Sequence, residues 1–217
     1  MIKNFDKIID EIKNMNLPYT QFVRFMEDIN DPFIVLIGCI LSLRTNDKTT
    51  YPATMRMLKL GRTPKEFLKV KLEDLEKAIY PVGFYKNKAQ QILNIAYELY
   101  HNYNSIVPKE IEELIKFKGV GRKTANLVQA KGYGIPSICV DVHVHRISNR
   151  MGLCQTNAPE ETEFALKSTI PQYLWSDINT LFVTLGQNVC KPTKPNCSIC
   201  NLHKYCKYYK TSVKDCK

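Results

Sequence analysis

The sequence predicts an all-α protein, and three observations predict it. Apolar residues recur at the three- and four-residue spacing of helices along most of the 217 residues. Helix-capping side chains stand repeatedly just before a proline suited to a first turn. No stretch sustains the period-two alternation of a half-buried strand. In chain order, the opening MIKNFDKIIDEIKNMN reads as an amphipathic helix without the marks of a signal peptide. Asp31-Pro32 is a helix start, and the apolar run FIVLIGCILSL (33–43) follows as a buried central helix. Thr63-Pro64-Lys65-Glu66 is a capping box with proline inside it. Leu72, Leu75 and Ile79 continue at helical spacing until Pro81 and Gly83 stop that helix. The stretch 86–100 repeats the pattern with Ala89, Ile92, Ile95, Ala96 and Leu99. Pro108 opens a segment over 110–117, Asn157 and Pro159 open a helix through Leu166, and 174–185 is a further apolar-periodic stretch.

Composition bounds the class. Hydrophobic residues make up 44% and charged residues 24%, ordinary for a soluble globular chain with a real core in one or two domains. The net charge of +10 favours a polyanionic partner, nucleic acid being the commonest, against plain solubility as the alternative. No run of about eighteen apolar residues occurs, so no membrane partner is expected and an intracellular location is. In an unsecreted chain, eight cysteines argue for reduced thiols and metal over disulfides.

Four of those cysteines, Cys190, Cys197, Cys200 and Cys206, form the pattern C-x6-C-x2-C-x5-C. Only one interval has the knuckle spacing of a structural zinc site. The wider intervals suit thiolates spread around a [4Fe-4S] cubane, with a zinc knuckle or two disulfides as the plainer readings.

Two further regions carry chemistry. Gly119-Val120-Gly121 joins two helical segments, and its glycines permit positive φ and close backbone approach. Val120 can plug the core between the helices. The helix that follows presents backbone N–H groups, and Lys118, Arg122 and Lys123 add charge there, which suits holding a DNA phosphate without reading sequence. An ordinary αα-hairpin with a glycine turn is the other reading. Downstream, Asp141 precedes a helical run and is an N-cap candidate. A lysine near a helix N-terminus and cationic neighbours can become a nucleophile, and a carboxylate can steady its proton transfers.

Taken together, GVGRKTAN (119–126), VDVHVHR (140–146), IYPVGFY (79–85), LGQNVC (185–190) and the cysteine tail resemble the endonuclease III family of helix-hairpin-helix DNA glycosylases. The resemblance runs from about Asp31 to Cys206. It implies a base-excision-repair enzyme that removes oxidised pyrimidines from duplex DNA and then nicks the abasic strand by β-elimination. It implies a six-helix domain with the hairpin (25–135), beside a helical iron–sulfur domain formed by both chain ends (1–24 and 136–217), with DNA across the cleft. The implied partner is damaged or abasic double-stranded DNA, bound by a monomer, in the cytoplasm or at the nucleoid of a prokaryote.

By the same resemblance, Lys123 matches the nucleophile that forms a Schiff base at C1′, and Asp141 the aspartate that assists base departure. Phe84 matches an apolar wedge that fills the void left by a flipped nucleotide, with a core phenylalanine as the alternative. Asp47 and His143 match a pair that orders the active-site wall. Lys191 and Lys194, in the loop between Cys190 and Cys197, are placed to meet phosphates. The four cysteines match the ligands of a [4Fe-4S] cluster. Two positions depart from the pattern: Lys118 stands where proline usually precedes the hairpin, and Arg44 where bacterial-type members carry a glutamine that enters the duplex. Two other functions compete. A monofunctional mismatch glycosylase carries another residue at the lysine position, and a non-catalytic iron–sulfur DNA-binding protein needs neither Lys123 nor Asp141.

Overall fold

The computed structural model describes residues 5–213, and no strand occurs among them. The helices in chain order are α1 (Phe5–Asn14), α2 (Gln21–Asp28), α3 (Pro32–Ser42), α4 (Asp47–Met57), α5 (Pro64–Phe67), α6 (Leu72–Ile79), α7 (Tyr85–Asn102), α8 (Ile111–Leu114), α9 (Arg122–Leu127), α10 (Val142–Met151), α11 (Pro159–Thr169) and α12 (Trp175–Asn188). No helix is long and apolar enough to cross a membrane among the described residues. The chain divides into two compact units.

The first unit is Thr20–Ile135. It begins at Thr20 rather than at 25 because Phe22 and Met26 of α2 are buried in its core. Its axis is α3. The Asp31 carboxylate accepts from the Phe33 and Ile34 backbone N–H groups at 2.9 and 3.1 Å, and Pro32 occupies the first turn. Every residue from Phe33 to Leu41 is buried, as a helix apolar on all sides requires. Helices α4, α7 and α9 pack against it. The capping box forms as the sequence predicts, with Thr63 Oγ1 accepting from Glu66 N at 3.3 Å and the Glu66 carboxylate from Thr63 N at 3.0 Å. The predicted helix over 110–117 keeps only the turn Ile111–Leu114, because Lys116 N and Phe117 N bond three residues back, tightening the chain. α9 runs on into a π-turn, Val128–Gly132. A Cβ at Gly132 would come 2.7 Å from Pro32 Cα, so a side chain there would push the π-turn off the start of α3.

The second unit joins the N-terminal residues up to Tyr19 with the residues from Pro136 onward. Phe5, Ile8, Ile9 and Ile12 lie on one stripe of α1 and are buried, and α1 packs against α12. α10 packs on α12 and α11. Burying each large aliphatic side chain of this stripe contributes roughly 1.5–3 kcal/mol, which holds the N-terminal helix to C-terminal elements. Asn157 does not cap α11. Ala158 stands at that position, and the Glu161 carboxylate accepts from the Asn157 and Ala158 N–H groups at 2.9 and 3.4 Å.

Candidate functional site

The hairpin turn lies in the Thr20–Ile135 unit. Gly119 has φ +80°, a left-handed conformation that favours glycine. Gly121 does not need that freedom, since its φ of −101° and ψ of 174° are ordinary extended backbone. Val120 is buried in the core. Lys118, Gly119 and Gly121 are exposed, and Arg122 and Lys123 occupy the first turn of α9, Lys123 exposed. The turn is held from beneath by α7, where Gln91 Nε2 donates to Lys118 O at 2.7 Å. The Lys123 charge also acts on Cys39 of α3, where burial pushes the thiol up to about 12 and the nearby ammonium opposes that rise. Cys39 is therefore an inert thiol.

Arg44 and Phe84 come together in the same unit. Both are exposed, Phe84 at 60%, which excludes the core reading of this phenylalanine. Both have left-handed backbone, φ 53° and 59°, a strained choice for residues with a Cβ. The Arg44 guanidinium lies 5.8 Å from the Phe84 ring centroid. Asp47 opens α4 behind Asn46, whose side chain accepts from Thr49 N at 3.0 Å, and Asp47 Oδ2 accepts from the Thr20 hydroxyl at 2.7 Å.

Asp141 and His143 belong to the second unit. Asp141 caps α10 as the sequence predicts, and both bonds fall on one oxygen: Oδ1 accepts from His143 N at 2.8 Å and Val144 N at 2.9 Å. Oδ2 is left to act on something else. The cap thus uses one of the two carboxylate oxygens. The Arg146 guanidinium donates to His143 Nδ1 at 3.1 Å, which fixes the imidazole as the tautomer with its proton on Nε2. Gly186 makes room for this pair, since a Cβ there would come 2.9 Å from Arg146 Nη2 and closer still to the imidazole.

Cys190, Cys197, Cys200 and Cys206 line one open pocket, together with Arg150, His203 and Tyr208. Burial pushes the Cys200 thiol up to about 11 and raises Cys197 and Cys206 as well, neighbouring thiolates adding to each shift. Four thiolates so close together repel, and a cationic group among them is what offsets that repulsion. Among the described residues no three His, Cys, Asp or Glu side chains converge on one point as a single metal ion requires. The thiols instead line the wall of a volume. Arg150 organises the rim: its Nη1 donates to Cys190 Sγ at 3.4 Å and Lys191 O at 2.6 Å, its Nη2 to Pro192 O at 2.6 Å, and its guanidinium lies 4.9 Å from the Tyr208 ring centroid. That leaves Lys191 and Lys194 exposed on the loop above.

Sequence reasoning passed over Lys88, Thr45, Gln91, Arg146 and Arg150, which hold these groups in place. Only Lys88 left a signal, a charged residue one turn before Ile92 on the apolar stripe of α7.

Residues 37–172 match the HhH-GPD superfamily base excision DNA repair protein family. The chain is 47% identical over 180 residues to endonuclease III of Thermotoga maritima, covering 83% of this chain and 84% of that protein. Its fold matches a non-covalent endonuclease III–DNA complex with a TM-score of 0.84 at 33% identity over 98% of both chains. It also matches a trapped endonuclease III–DNA covalent intermediate at 0.80 and 33%, again over 98% of both.

Proposed function

The chain belongs to the endonuclease III family of HhH-GPD base excision DNA repair proteins, and from that premise we propose that it is a bifunctional DNA glycosylase and abasic-site lyase acting on oxidised pyrimidines in duplex DNA. The observation that carries the reading is the exposed Lys123 amine on the first turn of α9, directly after the glycine turn. Backbone N–H groups at that turn, with Lys118 and Arg122, seat a phosphate and position the nucleotide without reading its sequence. Arg44 and Phe84 enter the duplex and occupy the space of the extruded base. The Lys123 amine attacks C1′ and the damaged base leaves with the glycosidic electron pair, taking up a proton. After the nitrogen loses a proton, its lone pair opens the sugar ring: the C1′–O4′ bond breaks, O4′ takes up a proton, and C1′ becomes the carbon of the Schiff base. A proton is then lost from C2′, and the 3′ phosphate departs as the C2′–C3′ double bond forms. Asp141 Oδ2 assists base departure and lysine deprotonation. Asp47, anchored by Thr20, and His143, oriented by Arg146, support the site walls.

The four-cysteine cavity suits a [4Fe-4S] cluster held by Cys190, Cys197, Cys200 and Cys206, since its thiols surround a volume and need a cationic core. The cluster, when bound, supplies a rigid anchor for the loop that carries Lys191 and Lys194 toward phosphates. The deciding experiment is borohydride trapping on duplex DNA containing thymine glycol or an abasic site, followed by digestion and mass spectrometry. The adduct is expected on Lys123, and Lys123→Gln is expected to bind lesion DNA while losing both base release and trapping. An adduct on another lysine, or undiminished strand cleavage by Lys123→Gln, refutes the assignment.

A further inference from the structure

Lys88 is a lysine at a core position. It shares the inward stripe of α7 with Ile92 and Leu99, and its residue is only 6% exposed. An ammonium ion withdrawn from water is unfavourable unless each proton finds an acceptor. Here all three do. Nζ donates to Leu41 O at 2.9 Å, to Leu43 O, and to Thr45 Oγ1 at 3.2 Å. All three acceptors are neutral. The two carbonyls lie at the C-terminal end of α3, where the helix dipole favours a cation. Burial still lowers the Lys88 pKa to about 8. A methionine would avoid that penalty but leave these three acceptors without their donor.

What Lys88 holds is a second group whose bonding capacity is full. A hydroxyl has one proton and two lone pairs. Thr45 Oγ1 donates to Leu43 O at 3.3 Å and accepts from Lys88 and from Gly83 N at 3.1 Å. One ammonium and one hydroxyl therefore tie the chain leaving α3 to the turn entering α7. Each of these segments carries a non-glycine residue in left-handed backbone, Arg44 in the first and Phe84 in the second. Such conformations persist only where the surroundings over-determine them. The segments also touch directly, since a Cβ at Gly83 would come 3.0 Å from Arg44 O.

We infer that Lys88 is a positioning residue for base extrusion: through Thr45 it locks the Arg44 and Phe84 turns into one preformed wedge. The inference rests on reading Arg44 and Phe84 as void-fillers, and it concerns how they are aimed. An abasic site presents no base to extrude, so a mis-aimed wedge harms it least.

The test uses the full chain with its metal centre loaded, under single-turnover conditions, on a duplex with a thymine glycol–adenine pair and on one with a pre-formed abasic site. Lys88→Met and Thr45→Val are expected to slow excision of the paired lesion roughly tenfold or more while changing abasic-site cleavage by less than about twofold. Thr45→Ser keeps the hydroxyl and is expected to retain the wild-type ratio. If Lys88→Met does not fold, the Thr45 pair carries the test alone. Arg44→Ala and Phe84→Ala run alongside to test the underlying reading, and in these a missing substrate split defeats the void-filler reading itself. A split there with none in Lys88→Met or Thr45→Val defeats the positioning inference alone. So does Thr45→Ser failing like Thr45→Val, with both substrates slowed equally and a lowered melting temperature.

Discussion

Gly119 and Gly121 bracket the hairpin turn, and the structure gives them different work. At Gly119, with φ +80°, alanine must adopt left-handed backbone, which costs about 1–2 kcal/mol. The new Cβ also runs into the Gln91 amide, whose Cδ would lie 3.0 Å away. The amide can swing aside, but it then gives up its 2.7 Å bond to Lys118 O, worth about 1 kcal/mol. Gly119→Ala should therefore destabilise the fold by about 2–3 kcal/mol, lowering Tm by roughly 5–10 °C for a chain of this size. At Gly121 the backbone is extended, and an added Cβ meets nothing within 4 Å. Gly121→Ala should cost less than about 1 kcal/mol, the difference between glycine and alanine at an N-cap. It nevertheless puts a methyl group where the N–H groups must reach a phosphate, and should weaken duplex binding roughly tenfold whatever the sequence. Denaturant melts and fluorescence anisotropy on undamaged and abasic-analogue duplexes separate the two effects. Equal destabilisation by both alanines, or wild-type DNA binding by Gly121→Ala, would refute the reasoning.

Asp141→Asn should keep the cap and the DNA affinity while slowing base release by roughly 10²–10⁴-fold in single-turnover assays; Asp141→Ala should add about 1 kcal/mol of instability from the lost cap. Anaerobically prepared protein should be yellow-brown with about four irons per chain, and Cys200→Ser should lose that absorption; stoichiometric zinc without iron would overturn the cluster. Removing Lys191 or Lys194 should weaken binding to all duplexes and flatten the slope of log affinity against log salt by about 0.9 for each phosphate no longer neutralised, so an unchanged slope excludes a phosphate-binding role for that lysine. Lys88 should show itself in stability against pH. Its folded pKa, near 8, lies below the ordinary 10.5, so between these values the unfolded chain binds the proton that the native chain has released. Stability relative to Lys88→Met should rise with pH through that window and stay flat below it, as read from denaturant melts at stepped pH.

Much of the architecture is legible because it is local. Asp31-Pro32, the Thr63–Glu66 box and Asp141 each satisfy N–H groups within four residues of themselves, so their spacing in sequence is their geometry. The buried stretch 33–41 is legible because nothing polar interrupts it, and the grouping of the four cysteines because side chains carried on short loops of one segment stay close in space. The cap on α11 is ambiguous in sequence because Asn157 and Glu161 both suit that end, and only packing decides that the carboxylate takes the N–H groups. The shortened α8 is hidden for a similar reason. The sequence between Leu114 and Gly119 is helix-compatible, and the i→i+3 bonds that tighten it follow from the course of the turn.

The sequence by itself determined the helical class, the order of the helices, the glycine turn with its lysine and the close spacing of the four cysteines, since each rests on residues near one another along the chain. Tertiary structure alone decided that only Gly119 of the two glycines needs left-handed backbone, that Phe84 faces outward, and that Arg44 meets it. It also decided that Asp141 keeps one oxygen uncommitted and that Lys88 gives its three protons to oxygens more than forty positions away. These arrangements depend on which distant backbone groups are left without partners once the helices pack. Buried donors and acceptors must be satisfied wherever the fold strands them, and no local spacing encodes where that is.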